Sequence, residues 1–298
     1  MKMLEKVIPA SEKVYKPSSP FQAKILETRR LTPQSSRDEI RHIVLDLAGS
    51  GITYLEGQCI GVVTPGTDEK GKPHRLRLYS IASARSGDDG LASTVSLCVK
   101  RVVITDPGTG KEIRGVASNY ICDRKEGDII SMTGPTGRKL LLPDDDTIDL
   151  LLVAVGTGIA PFRSYIEYIY REYGRWRGRV RLFYGSKSGL ESLYMNDENN
   201  DIGQYFTRET FEAYRALSEV ERNARGGQVL VHDRIEERLE DVWAIIRNGH
   251  FAFYICGVKG LEAGIDEILT KRAARDGLDW AVMKAAFDDE GRWNTELY

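Results

Sequence analysis

A strand, a glycine-rich turn and a helix follow one another in the middle of the chain. Asp149–Val155 is a short apolar run typical of a buried strand, and Gly156-Thr-Gly-Ile-Ala-Pro161 then turns the chain. Residues 162–173 carry apolar side chains at helical spacing. The same alternation of strand and helix returns at residues 180–184, 251–256 and 260–274. This alternation predicts a doubly wound parallel sheet over residues 147–298.

The first half of the chain has a different pattern. Short β-branched or alternating runs occupy residues 40–46, 59–63, 75–81 and 95–104. Glycine and proline turns such as Pro65-Gly66 and Gly134-Pro-Thr-Gly137 separate them. We therefore predict an antiparallel β-barrel over residues 19–142, preceded by an extended arm at residues 1–18. The acidic, proline-containing segment 142–147 marks the boundary between the two domains.

Composition excludes several classes of protein. The net charge of −2 argues against a nucleic-acid binder. No stretch reaches the ~20 apolar residues that a membrane span needs. Neither a signal peptide nor a metal-binding cysteine pair is evident, so we expect a cytoplasmic protein with no metal site. Residues 1–142 carry 22 Lys and Arg against 16 Asp and Glu, whereas residues 143–298 carry 20 against 28, which suggests different electrostatic roles.

Two segments have residues suited to phosphate and ring binding. The strand, glycine turn and helix around Gly156 can bind a pyrophosphate through backbone N–H groups, and Pro161 suits a first helical turn. In the strand Arg77-Leu-Tyr-Ser80, Arg77 and Tyr79 share one face, where they can hold a phosphate and a flat ring together. Taken singly, each segment is also compatible with a purely structural turn or an exposed cross-strand pair.

Six motifs in order give a more specific signal. They are Arg77-Leu-Tyr-Ser80, Gly115-Val-Ala-Ser-Asn119, Gly134-Pro-Thr-Gly137, Gly156-Thr-Gly-Ile-Ala-Pro-Phe-Arg163, Tyr254-Ile-Cys-Gly257 and Trp293-Asn-Thr-Glu-Leu-Tyr298. Together they resemble the plant and cyanobacterial ferredoxin–NADP⁺ reductase family over roughly residues 20–298. The resemblance implies an FAD-binding barrel, an NADP(H)-binding α/β domain, and hydride transfer between nicotinamide C4 and flavin N5.

The resemblance assigns residues to FAD. Arg77 would bind the pyrophosphate, Tyr79 would pack against the flavin, and Ser80 would hydrogen-bond near N5. The other implied FAD residues are Leu78, Leu97, Cys98, Val99, Lys100, Val116, Ala117, Ser118 and Thr157. The family usually has Cys where this chain has Ala117, a change that we expect to be tolerated because backbone N–H groups do the binding.

The resemblance also assigns the nicotinamide dinucleotide and the catalytic residues. Residues matching the NADP pyrophosphate turn are Gly156, Thr157, Gly158, Ile159 and Pro161. Cys256 and Gly257 match the lip beside the nicotinamide. Glu296 resembles a carboxylate that shares the hydride-transfer site with Ser80. Tyr298 resembles the aromatic residue that stacks on the flavin and must move to admit nicotinamide.

The segment expected to bind the 2′-phosphate departs from the family pattern. An ungapped match places Ser218 on the family's serine but Glu219 on its arginine. It also places Gln228 on a later basic position and Leu230 on a tyrosine. A carboxylate repels a 2′-phosphate and suits the ribose 2′-OH of NAD. NADP(H) is the expected substrate from the family, with NADH left open.

Two features could restore positive charge to this segment. Arg222 and Arg225 lie just beyond Glu219, and Thr207-Arg208-Glu209 offers a second triplet of the required type. However, residues 207–222 also have the apolar spacing of an amphipathic helix, in which Arg208 would be a solvated surface charge.

Three functions remain open at this level. The leading hypothesis is a ferredoxin or flavodoxin reductase that docks an acidic one-electron carrier on its basic N-terminal domain. The N-terminal half is also similar to the reductase components of benzoyl-CoA epoxidases, although this chain lacks their cysteine clusters. A flavin-bearing docking subunit without turnover is the third. The sequence leaves the oligomeric state open, with a monomer as the working expectation.

Overall fold

The computed structural model describes residues 13–298, so residues 1–12 of the predicted arm lie outside the described residues. The chain divides into two compact units, and the division falls between Arg138 and Lys139. Between residues 13 and 298, we find no helix that is both long enough and apolar enough to cross a membrane.

The first unit is a six-stranded antiparallel barrel. Its strands are β1 (Phe21–Arg30), β2 (Ile40–Asp46), β3 (Cys59–Val63), β4 (Arg77–Ser80), β5 (Thr94–Lys100) and β8 (Ile129–Thr136). They are ordered β4-β3-β8-β1-β2-β5. A bridge between Ile81 and Leu97 joins the two end strands, and the Ala82 amide donates to the Ser96 carbonyl at 2.8 Å. These contacts close the sheet, which confirms the predicted barrel.

A small hairpin and a short helix complete this unit. They are β6 (Val103–Thr105), β7 (Glu112–Arg114) and α1 (Val116–Cys122). The single strand predicted over residues 95–104 is therefore wrong at its end. Strand β2 begins at Ile40, directly opposite Lys100, so the ladder has no partner strand beyond that point and the chain leaves the barrel.

The second unit is a parallel sheet with helices. Its strands are β9 (Asp149–Val155), β10 (Val180–Ser186), β11 (Phe211–Leu217), β12 (Phe251–Gly257) and β13 (Trp293–Leu297). Its helices are α2 (Ala160–Glu167), continued by a π turn at Tyr168–Glu172, α3 (Val231–Glu237), α4 (Leu239–Asn248), α5 (Leu261–Arg275) and α6 (Trp280–Asp289), with 3₁₀ turns at Gly156–Ile159 and Gly203–Tyr205. The strand order is β11-β10-β9-β12-β13, and every neighbouring pair is parallel. The prediction of a parallel sheet with helices is thus confirmed.

The helix predicted over residues 207–222 is wrong. The segment forms strand β11, which pairs in parallel with β10 from Phe211 opposite Val180 to Leu217 opposite Ser186. The apolar residues happened to fall at helical spacing, but seven residues of ladder hydrogen bonding and the burial of Phe211 outweigh that local preference.

Candidate functional site

Strand β4 carries the guanidinium of Arg77, the ring of Tyr79 and the hydroxyl of Ser80. Arg77 is exposed, and its guanidinium makes no hydrogen bond or ion pair with any residue between 13 and 298. Tyr79 is half-buried against the barrel core, and this burial raises the pKa of its phenol. Ser80 lies opposite Cys59 in β3, with the Cys59 Sγ 3.9 Å from the Ser80 Oγ. Leu78, on the other face of the strand from Tyr79, is 54% exposed.

Strand β5 divides its predicted FAD residues between two faces. Leu97 and Val99 have fully buried side chains that belong to the barrel core. Cys98 is buried on the opposite face, and the exposed Lys100 pairs with Asp38 at 2.8 Å. Leu97 and Val99 can therefore offer a ligand only their backbone, a restriction that the sequence motif did not reveal.

The turn at the start of α1 is tightly packed. A Cβ at Gly115 would lie 2.9 Å from the Val102 Cβ and 2.8 Å from the Ser118 Oγ, so a larger residue would force a shift. The Ser118 hydroxyl accepts from the Val102 amide at 3.1 Å. The amides of Val116 and Ala117 lie in the first turn of the helix, where N–H groups have no helical partner. The turn thus presents backbone donors of the kind that phosphate oxygens accept.

In the second unit, the glycine turn lies where the sheet changes direction. From β9 the chain crosses to β10 on one side, whereas β12 lies on the other, and ligands of such sheets bind outside this switch point. A Cβ at Gly158 would lie 2.1 Å from the Cys256 carbonyl oxygen, so only glycine fits. Gly257 has a φ of +149°, and a Cβ there would lie 3.1 Å from the Val155 carbonyl oxygen. Pro161 falls in the first turn of α2, as predicted.

The C-terminal strand brings the predicted catalytic residues of this unit to the carboxyl end of the parallel strands, where the glycine turn lies. Glu296 lies opposite Cys256 in the ladder between β12 and β13. The Tyr298 amide donates to the Gly257 carbonyl at 3.0 Å, and the Tyr298 carbonyl accepts from the Lys259 amide at 3.3 Å. The Tyr298 hydroxyl is 2.7 Å from the Thr157 Oγ1. Residues from three distant parts of the sequence therefore meet around the glycine turn.

A polar network that sequence reasoning missed anchors this strand. The Trp293 indole N–H donates to the Glu262 carboxylate at 2.8 Å, and the Lys284 ammonium is 2.8 Å from the same oxygen. Burial raises the pKa of Glu262, but the hydrogen bonds from Lys284 and Trp293 outweigh burial and leave that pKa below its usual value. Lys284 also pairs with Asp266 at 2.6 Å. No sequence motif links these residues, because they lie on two different helices and a strand.

The residues expected near a 2′-phosphate lie beyond the end of β11. Ser218 is half-buried, whereas Arg222, Gln228 and Leu230 are exposed. Arg222 and Gln228 form an isolated bridge, which makes this segment a small loop. By contrast, the alternative triplet at residues 207–209 lies at the amino end of β11. The glycine turn lies at the carboxyl end of the parallel strands. That position argues against the alternative triplet.

The predicted catalytic constellation draws on both units. Ser80 belongs to the unit that ends at Arg138, and Cys256, Glu296 and Tyr298 belong to the other. The structure brings the last three together. That Ser80 acts with them stays a prediction.

Comparison with known proteins agrees with this organisation. A family model described as the oxidoreductase NAD-binding domain matches residues 152–267. The chain is 38% identical over 288 residues to a ferredoxin–NADP reductase of Spirulina sp., a match covering 96% of this chain and 97% of the relative. It is 40% identical over 287 residues to the chloroplastic leaf isozyme 1 of ferredoxin–NADP reductase from Oryza sativa subsp. japonica, a match covering 95% of this chain and 78% of the relative.

A solved structure of ferredoxin–NADP⁺ reductase from Plasmodium falciparum has the same fold. It superposes with a TM-score of 0.74 at 23% identity and covers 95% of this chain and 98% of that chain. The parallel sheet, its glycine turn and the matching domain model define an oxidoreductase with a dinucleotide-binding domain. The near full-length relatives narrow that class, and the chain belongs to the ferredoxin–NADP reductase family.

Proposed function

We propose that this chain is an FAD-dependent reductase that exchanges electrons between NADP(H) and a one-electron protein carrier, ferredoxin or flavodoxin. The observation that supports this most is the meeting of Thr157, Cys256, Glu296 and Tyr298 around the glycine turn. Its relatives are named for the same pair of reactants. Four buried free thiols are consistent with work in the reducing cytoplasm, where we propose that the protein acts as a monomer.

The residues of the first unit fit FAD. Arg77 is an exposed guanidinium without an ion pair among residues 13–298, as a phosphate-binding arginine requires. Tyr79 offers a ring held against the barrel, and the amides of Val116 and Ala117 offer donors to a second phosphate. When bound, FAD supplies the capacity to take a hydride and release its two electrons singly. Backbone groups of residues 97–100 would line its adenosine side.

The second unit would position the dinucleotide. Backbone N–H groups of the glycine turn would bind its pyrophosphate, since Gly158 keeps the turn against β12. The lip formed by Cys256 and Gly257 would hold the nicotinamide edge. Glu296 would orient the Ser80 hydroxyl or exchange a proton with it, and proton transfer requires the two groups within ~3 Å. Tyr298 would cover the flavin until the dinucleotide displaces it.

The test compares two arginines of the same unit. The purified protein should hold one FAD per chain, bleach on addition of NADPH and pass electrons to ferredoxin. Arg77→Ala should lose FAD on dialysis, because a charge-assisted hydrogen bond contributes roughly 1.5–3 kcal/mol. Arg37→Ala is the matched control, since Arg37 is also exposed and makes no ion pair with residues 13–298. Stoichiometric FAD in dialysed Arg77→Ala protein would contradict the FAD assignment.

A further inference from the structure

The end of β11 lies on the adenosine side of the proposed dinucleotide site. The roles proposed for Cys256 and Tyr298 would place the nicotinamide over β12 and β13, so the rest of the dinucleotide would extend from the glycine turn over β10 and β11. Parallel strands lie ~4.8 Å apart, which puts the end of β11 roughly 10 Å from the turn that follows β9. The adenosine ribose should therefore lie near the residues that leave β11.

Backbone hydrogen bonds fix the position of Glu219 just beyond the end of β11. The Ser218 amide donates to the Ser186 carbonyl at 2.9 Å, and the Glu219 amide donates to the Lys187 carbonyl at 2.9 Å. These bonds extend the pairing of β10 and β11 past the last residue of either strand. The Glu219 side chain is exposed, and its carboxylate has no hydrogen bond or ion pair with the rest of residues 13–298.

The arginines that follow Glu219 are largely neutralised by other acids. Arg234 pairs with Glu221 at 2.6 Å, and Arg225 pairs with Glu236 at 3.2 Å. The Arg222 guanidinium donates to a backbone carbonyl at 2.9 Å. Residues 218–237 hold five carboxylates and three arginines, so a phosphate dianion would meet a net negative segment. A ribose hydroxyl, by contrast, can donate a hydrogen bond to a carboxylate.

We infer that Glu219 determines dinucleotide specificity and admits NADH to the site, by accepting from the ribose 2′-OH and repelling the 2′-phosphate of NADPH. The inference rests on the proposed function, because it assumes that the glycine turn binds a nicotinamide dinucleotide. Arg222 remains the cation that still lets NADPH bind. The enzyme therefore uses both dinucleotides with little preference between them.

The kinetic test reverses the charge at one position. We expect the kcat/KM values of the wild type for NADPH and NADH to lie within about tenfold of each other. Glu219→Arg should raise the ratio in favour of NADPH by about 10- to 100-fold, as a charge-assisted contact to the phosphate would. Glu209→Arg is the matched control, since Glu209 is exposed and precedes the other end of β11. A wild type more than a thousandfold selective for NADPH, or an unchanged ratio in Glu219→Arg, would overturn the inference.

A binding test separates this inference from the proposed function. AMP and 2′-phospho-AMP carry the adenosine end alone and need no flavin chemistry. Glu219→Arg should tighten the dissociation constant of 2′-phospho-AMP about 10- to 100-fold without tightening that of AMP. Equal effects on the two nucleotides would overturn the role of Glu219. A protein that shows this difference but reduces no flavin would retain the inference and refute the proposed reductase.

Discussion

We call the Tyr298 ring that would cover the flavin the proposed gate, and its hydrogen bond with Thr157 lets the free energy of opening be estimated. Tyr298 is 57% exposed, yet its hydroxyl lies 2.7 Å from the Thr157 Oγ1 in the turn where the pyrophosphate should bind. In the proposed gate, nicotinamide binding would displace the ring from the flavin, and dinucleotide binding would reorganise this hydrogen bond. Both costs reduce the apparent affinity of the resting enzyme.

Two substitutions separate the two costs. Tyr298→Phe removes only the hydroxyl, and a typical hydrogen bond contributes about 0.5–1.5 kcal/mol, so dinucleotide affinity should rise about 2- to 10-fold. Tyr298→Ser also removes the aromatic pairing, which contributes about 0.5–1.5 kcal/mol more. The combined loss of about 1–3 kcal/mol should raise affinity about 5- to 100-fold, and toward the lower end because the ring is partly solvated.

Titration with NADP⁺ and NAD⁺, followed by flavin difference spectroscopy, measures these affinities. Tyr173→Ser is the matched control, since Tyr173 is an exposed tyrosine that stacks on Tyr168 before β10, at the opposite edge of the sheet. The Ser variant should also reduce the small preference that remains between the two dinucleotides, because the displacement cost no longer has to be offset by 2′-phosphate binding. A Tyr298→Ser enzyme with unchanged nicotinamide affinity would refute the gate.

Ser80, the basic surface of the first unit and Glu39 can each be tested separately. Ser80→Ala should slow flavin reduction by NADPH in stopped-flow measurements while FAD stays bound, and a rate equal to the wild type would remove Ser80 from the reaction. Reduction of an acidic ferredoxin should slow as salt rises from ~0.1 to ~1 M, where the Debye length falls from ~10 to ~3 Å, and a flat rate would exclude electrostatic steering. The exposed cations expected to steer it are Lys70, Lys72, Arg75 and Lys139. Burial alone would raise the pKa of Glu39, but the hydrogen bonds with Arg101 and Arg41 lower that pKa from 4.5 to about 2. Glu39 therefore stabilises the fold above about pH 4.5 and loses that contribution toward pH 2. Glu39→Gln should therefore lower the free energy of unfolding in urea at pH 7 but not at pH 2, and an equal loss at both would contradict the ion pairs as its cause.

The sequence by itself predicted the two kinds of sheet and the glycine turn. Strand alternation, apolar runs and glycine positions are local properties, and β2, β3 and β9 have the bounds that their patterns predicted. The order of six short motifs also predicted the family that the relatives confirm. The positions of Arg77 in strand β4 and of Pro161 in the first turn of α2 could be predicted from sequence, because each depends on a local pattern.

The tertiary structure decided what depends on distant partners. Residues 207–222 had helical spacing, but residues 211–217 pair with β10 as a strand, which leaves the triplet at residues 207–209 at the amino end of that strand, away from the glycine turn. The barrel core took the side chains of Leu97 and Val99, which a motif cannot show. The network of Trp293, Glu262 and Lys284 joins elements that are far apart in sequence, so it exists only once α5, α6 and β13 pack together. Such contacts depend on which elements become neighbours, and no local pattern in the sequence encodes that choice.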